Sequence, residues 1–150
     1  MIAHMLSSKL DRVVVDTNVL AGALIGRAGS NRWVIRACLE GRLKPLIGQA
    51  LFLEYEDVLS RKDLYRAFPL SPTERRELFL AFLSVCEWVQ IYFSWRPNLP
   101  DESDNHVLEL AVAGGAAAII TNNLRDFHAA ELKVPGLRVV TPRKLAQESQ

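Results

Sequence analysis

Four stretches of the sequence set carboxylates or carboxamides where the surrounding pattern calls for apolar side chains. The first is "VVVDTNVL", Val13 to Leu20, in which three β-branched residues run straight into Asp16, Thr17 and Asn18. In the second, "QALFLEYEDVLSR", Leu51, Tyr55 and Val58 mark a helical stripe at i, i+4 and i+7, and Glu54 falls at i+3 on the same face. In the third, "LPDESDNHVLELA", Val107, Leu108 and Ala111 define a face that Asp104, four residues before Leu108, begins. The fourth, "TNNLRDF", Thr121 to Phe127, puts Asn122, Asn123 and Asp126 just past the strand-like "AAAIIT".

Each stretch has an ordinary structural explanation. Asp16 could be the N-cap of a helix starting at Thr17 or Asn18. Glu54 could lay its stem on the core while its head reaches water. Asp101 and Asp104 could be an N-cap and an N3 acid, a description that suits Asp101 better. The asparagines could form an Asx-rich turn. His106 has no second His or Cys at ligand spacing and reads as a solvated residue of a first helical turn. What these explanations leave out is convergence: two polar groups at carboxyl strand ends and two carboxylates on apolar helix faces would meet in one crevice of an open α/β sheet.

Clustered carboxylates without His or Cys repel one another unless hard cations lie between them, and oxygen-only sites with open positions suit Mg²⁺ or Mn²⁺. Such ions complete their shell with an anionic substrate. They can activate a water, orient it in line with a phosphodiester and stabilise the leaving oxygen, so nuclease chemistry is the natural reading.

The elements that would position these groups are legible in outline. Apolar runs of strand length at Val13 ("VVV"), Leu43 ("LKPLI"), Trp88 ("WVQIY"), Ala116 ("AAAII") and Leu137 ("LRVV") alternate with helical stretches over 31–40, 49–60, 72–85, 103–113 and 142–147. That alternation predicts a three-layer α/β/α fold with a mostly parallel central sheet. Pro72 after Ser71 and Pro142 after Thr141 mark two helix starts. The breakers "GRAGS" and "WRPNLPDES" are too short to be domain linkers, and no repeat or low-complexity tract is present.

With 150 residues, 49% of them hydrophobic, the expectation is one domain over residues 11–150 behind a flexible tail over 1–10. Lys plus Arg number 18 against 17 Asp plus Glu, so the net charge of +1 provides no polybasic footprint for nucleic acid. Cys38 and Cys86 lack a CxxC or His-rich setting and read as free thiols. The N-terminus lacks a signal-peptide pattern, and the longest apolar run, interrupted by Glu109, is too short to span a bilayer. A cytoplasmic protein with no membrane association is expected.

Taken in order, "VVVDTNVL", "EYEDVL", "LPDESDNHVLELA" and "IITNNLRDF" resemble the PIN-domain nucleases, in particular the branch of toxins from toxin–antitoxin pairs. The resemblance runs from about Asp11 to Leu145. It implies a Rossmann-like sheet, dependence on Mg²⁺ or Mn²⁺, single-stranded RNA as substrate and a protein antitoxin as partner, and leaves a homodimer open. It also implies Asp16 and Asp104 as metal ligands and Glu54 as a third acid, with Asn18 and Thr121 holding the pocket's geometry. Where many members carry an acid two residues after the Thr, this chain has Asn123. Either Asp126 supplies that charge, which places it among the catalytic residues, or one of two metals is loosely held. Arg125 lies inside the same motif, and Arg27, Arg32 and Arg36 flank the first; phosphate contacts from them compete with plain solvation. Trp33 and Trp95 could stack on bases or belong to the core.

A phosphoacceptor or phosphatase module would need a second acid two residues after Asp16, where Asn18 stands, or a lysine at a late strand end. A non-catalytic RNA- or protein-binding module with an incomplete metal site is the alternative that Asn123 keeps open.

Overall fold

The computed structural model describes residues 12–26, 29–61, 70–91 and 104–149. The tail over 1–10, Arg27 and the whole "WRPNLPDES" breaker, with Trp95 and Asp101, lie outside the described residues.

Five strands form one parallel sheet: β1 (Arg12–Val15), β2 (Lys44–Ile47), β3 (Glu87–Trp88), β4 (Ala118–Ile120) and β5 (Arg138–Val140), in the order β3-β2-β1-β4-β5. Val13, Val14, Val15, Ile119 and Ile120 are buried on both faces of the central strands, which is why these runs do not alternate with polar residues. Pro45 is tolerated inside β2 because it shares a side with Ile47, which bonds β3, and β3 pairing begins only at Leu46. The expected third strand, "WVQIY", is reduced to two residues at the sheet edge, where Trp88 is exposed.

The described helices are α1 (Thr17–Ile25), α2 (Ser30–Leu39), α3 (Gln49–Ser60), α4 (Pro72–Val85), α5 (Asn105–Gly114), α6 (Leu124–Lys133) and α7 (Pro142–Glu148). Their starts follow local chemistry. Ser71 and Glu74 form a capping box ahead of Pro72, and the Thr141 hydroxyl accepts from the Lys144 N–H ahead of Pro142. Gly115, with φ at 66°, ends α5 in the left-handed conformation that glycine adopts without a Cβ clash.

Two helices were not marked by the hydrophobic pattern. The α1 segment is apolar nearly all round, and α6 buries only Phe127 and Ala130, so neither carries a clean amphipathic stripe.

Chain order and handedness decide the layers. The chain steps outward from β1 to β2 to β3, then returns past both to β4, and right-handed crossovers put the helices of the two directions on opposite faces. Accordingly α5 packs on β1, β2 and β4, while α1 packs on α2 and α3, and α2 on α4 and α7. The reversal lies between β1 and β4, the switch point beside which open α/β sheets bind ligands. No described helix is long and apolar enough to cross a membrane.

Candidate active site

Asp16 is the first residue past β1 and Thr121 the first past β4, so parallel pairing of Val15 with Ile120 puts them side by side at the switch point. The register is sealed by the Asp16 N–H, which donates to the Ile120 carbonyl at 2.9 Å. Both residues are buried, Thr121 fully and Asp16 to 8% exposure. Asp16 Oδ1 accepts from the Thr17 N–H at 2.8 Å, so the residue does cap α1. Its Oδ2 accepts from Thr121 Oγ1 at 2.8 Å and from Asn18 Nδ2 at 3.2 Å.

Capping and a place in the crevice are therefore compatible, because a strand that ends at a helix start needs an oxygen at that corner in either case.

Burial is the main force on Asp16 and raises its pKa above the ordinary carboxylate value. The Thr121 and Thr17 hydrogen bonds pull the other way; the Glu54 charge adds to the rise and His106 opposes it. Glu54 and His106 thus act electrostatically on Asp16.

They reach it from opposite faces of the sheet. Glu54 belongs to α3, whose next residue, Tyr55, is fully buried, packs edge-on against Phe79 and Phe82, and donates its hydroxyl to the Val15 carbonyl. That bond ties α3 to the residue just before Asp16. His106 is the second residue of α5, and its Nε2 bonds Glu54 Oε2. The expectation of a solvated His106 does not hold: the side chain is half-buried and pairs with Glu54, whose stem lies on the core-facing stripe while the side chain as a whole stays 40% exposed. Glu54 itself foretold such a partner, and its position three residues after Leu51 was the available signal.

Asp104 stands at the N-cap position of α5, two residues ahead of His106, with αR backbone and no capping hydrogen bond from its side chain. Asp101, the residue expected to cap the helix ahead of it, lies outside the described residues. In the fourth motif, the Asn123 N–H donates to Thr121 Oγ1 at 3.0 Å, and Asn123 Nδ2 bonds Asp126 Oδ2. Asp126 lies in the first turn of α6 rather than in a turn past the strand. Among the described residues its carboxylate bonds Asn123 and does not join the hydrogen bonds on Asp16.

Arg32 and Trp33 are engaged away from Asp16, and the other described arginines of these motifs are exposed. Arg32 donates to the Ala23 carbonyl of α1 at 2.8 and 3.1 Å, Arg42 lies 5.3 Å from the centre of the Trp33 ring, and Arg36 and Arg125 are exposed. Cys38 and Cys86 are free, and burial pushes both thiols up, Cys86 to about 12.

The donor set suits a hard cation only sparsely. Among the described residues, no three His, Cys, Asp or Glu side chains form a metal-holding group. Asp16 Oδ1 accepts one hydrogen bond and keeps a lone pair for a further ligand, and a second oxygen of Glu54 remains beside the one bonded to His106. Mg²⁺ and Mn²⁺ tolerate such a site because they keep several waters and take one or two carboxylates.

Comparison with known proteins agrees with this fold. The PIN domain family profile matches residues 12–125. The crystal structure of VapBC2 from Rickettsia felis bound to a DNA fragment from their promoter contains a chain of similar fold. It superposes with a TM-score of 0.55 at 16% identity, covering 87% of this chain and 98% of that one. Comparison with curated proteins yields no match. With the profile extending over most of the chain, from β1 into the first turn of α6, this protein belongs to the PIN domain family, whose members are generally nucleases.

Proposed function

We propose that this chain is a divalent-cation-dependent ribonuclease that cleaves single-stranded RNA and is the toxin of a toxin–antitoxin pair. The observation that carries the reading is Asp16: a carboxylate buried at the switch point of the sheet, under the charge of Glu54, at a cost that a bound cation would offset. Asp16 and Asp104 would hold Mg²⁺ or Mn²⁺, which supplies an activated water and neutralises charge on the phosphate. Thr121 and Asn18 orient the Asp16 carboxylate by donating to Oδ2. Glu54, steadied by His106, would be the carboxylate that accepts a proton from the attacking water. Asp126 keeps Asn123 in place and reaches the pocket only through it and Thr121. Arg125, exposed in the first turn of α6, suits a phosphate contact.

The antitoxin belongs to the same reading. The motif resemblance is to a branch whose nucleases pair with antitoxins, and the Rickettsia felis chain of like fold comes from a VapBC2 assembly. A cationic segment from such a partner would suit the acids at the crevice. A cytoplasmic site of action follows from that role.

Asp16→Asn tests the reading directly, because Asn is as good an N-cap as Asp while lacking the charge. The variant is expected to fold and to lose Mn²⁺-dependent cleavage of single-stranded RNA by at least about 10²-fold. Cleavage at the parent rate would make Asp16 a cap alone and favour the non-catalytic module.

A further inference from the structure

The hydrogen bonds on Asp16 continue outward through a chain of carboxamides that ends at Asn31, the second residue of α2. Asn18 is held at both ends. Its Oδ1 accepts from the Asn122 N–H at 3.1 Å and from Asn122 Nδ2 at 3.4 Å. With the oxygen so engaged, its Nδ2 must face Asp16 Oδ2 and Thr121 Oγ1. A flipped Asn18 would turn a carbonyl oxygen toward a buried carboxylate. Asn122 is held in turn, since its Nδ2 donates to Asn31 Oδ1 at 2.8 Å.

Asn31 has a seat of its own on α1. A Cβ placed on Gly22 would fall 2.1 Å from Asn31 Nδ2 and 2.8 Å from its Cγ. Gly22 lies inside α1 and is not among the glycines with positive φ, so the backbone there does not demand glycine. Glycine weakens a helix interior relative to alanine. The missing side chain leaves room for the Asn31 amide.

We propose that Asn31, seated on Gly22, is a positioning residue of the Asp16 pocket. Through Asn122 it holds the Asn18 carboxamide in the one orientation that donates to Asp16. The inference rests on the nuclease reading for its consequence in catalysis, but the amide chain itself is open to tests that need no cleavage.

Asn31→Leu removes the acceptor at nearly constant shape, Asn31→Asp keeps an acceptor oxygen, and Gly22→Ala pushes the amide off its seat while improving helix propensity. Each would be purified as the full chain and compared in melting temperature, Mn²⁺ affinity by calorimetry, single-turnover cleavage of a single-stranded RNA oligonucleotide, and amide NMR resonances of Asn18 and Thr121. Asn31→Leu and Gly22→Ala are expected to slow cleavage by about tenfold or more, since small displacements of positioned groups are costly in rate. Both should weaken Mn²⁺ binding severalfold, and Gly22→Ala should not melt lower than the parent. Asn31→Asp should recover most of the rate, and Gly22→Ala should do nothing further in an Asn31→Leu background.

Parent-like cleavage and Mn²⁺ affinity in Asn31→Leu would overturn the proposal, as would multiplicative losses in the double variant. If the parent itself cleaves no RNA, the nuclease reading fails and the resonances decide the amide chain. Asn18 and Thr121 signals must then move in Asn31→Leu and Gly22→Ala and return in Asn31→Asp; unmoved signals would overturn it.

Discussion

Thr121 Oγ1 donates to Asp16 Oδ2 at 2.8 Å across 105 residues of sequence, inside the core of the protein. The same Oγ1 accepts from the Asn123 N–H, so one hydroxyl joins the ends of β1 and β4 to the loop that opens α6. Thr121→Val keeps the shape and removes both roles. Loss of a bond to a charged, buried group is expected to cost about 1–3 kcal/mol near neutral pH. The loss should shrink in acid, where Asp16 is protonated and the bond supports its charge less. Urea melts at pH 4 and pH 7.5 check this; equal losses at both would mean the bond does not serve the carboxylate.

Metal-free stability should depend on pH through Asp16. Its folded-state pKa is raised, so between the unfolded and folded values the native protein holds more protons than the unfolded chain. The stabilisation is fully present below the unfolded pKa and is lost as pH rises through the folded one. Mn²⁺, binding only the folded state, should restore much of that loss. Glu54→Gln removes one of the charges that raise the Asp16 pKa, so the metal-free variant should melt higher near neutral pH and bind Mn²⁺ more weakly. A variant that melts lower without metal and binds Mn²⁺ as tightly as the parent would detach Glu54 from the Asp16 pocket.

Tyr55→Phe should cost about 1–2 kcal/mol, because it leaves the buried Val15 carbonyl without the hydroxyl of α3. The ring contacts with Phe79 and Phe82 persist. As that carbonyl precedes Asp16, cleavage should fall along with stability, and comparing kcat with melting temperature across mildly destabilised core variants would separate the two effects. Activity that tracks stability alone would show that the tie does not position the β1 end.

The Arg12–Glu87 pair provides a control at the amino edge of the sheet. Arg12 Nη1 donates to Glu87 Oε1 at 2.9 Å and its Nε to the Gly114 carbonyl at 2.8 Å, and the arginine holds the Glu87 carboxyl below its usual range. The pair is partly exposed, so Glu87→Gln should cost well under about 1 kcal/mol. That contribution is present above the unfolded pKa of Glu87 and is lost as pH falls through the lowered folded value. Cleavage and Mn²⁺ affinity should be unchanged; a loss of either would mean that strain at one edge reaches the other.

Much of this architecture is written in local patterns. The β-branched run Val13–Val15, the stripe of Leu51, Tyr55 and Val58, and the Ser71-Pro72 and Thr141-Pro142 starts each depend on neighbours within a turn or a strand, where periodicity and capping act. The alternation of strands and helices points to a parallel sheet, because a helical crossover returns the chain to the end of the sheet from which the next parallel strand starts. Asp16, Glu54 and Asp104 stood out as polar groups in apolar company, whereas Asn18 and Thr121 were marked only by the motif resemblance.

What the tertiary structure decided is who meets whom. That His106 serves Glu54, that Asn31 holds Asn122, that Arg32 bonds the carbonyl of Ala23 and that Asp126 is turned to Asn123 depend on bonds from helix to helix or from helix to loop. An isolated His, Asn or Arg has no periodicity to reveal its partner. Its contacts are settled only when strand order and right-handed crossovers bring α3 and α5, or α1 and the β4 loop, to the same edge of the sheet. Sequence by itself determined which residues must be buried and which polar groups would need partners there; packing alone determined the partners, because hydrogen bonds are settled by ångström distances that no spacing along the chain encodes.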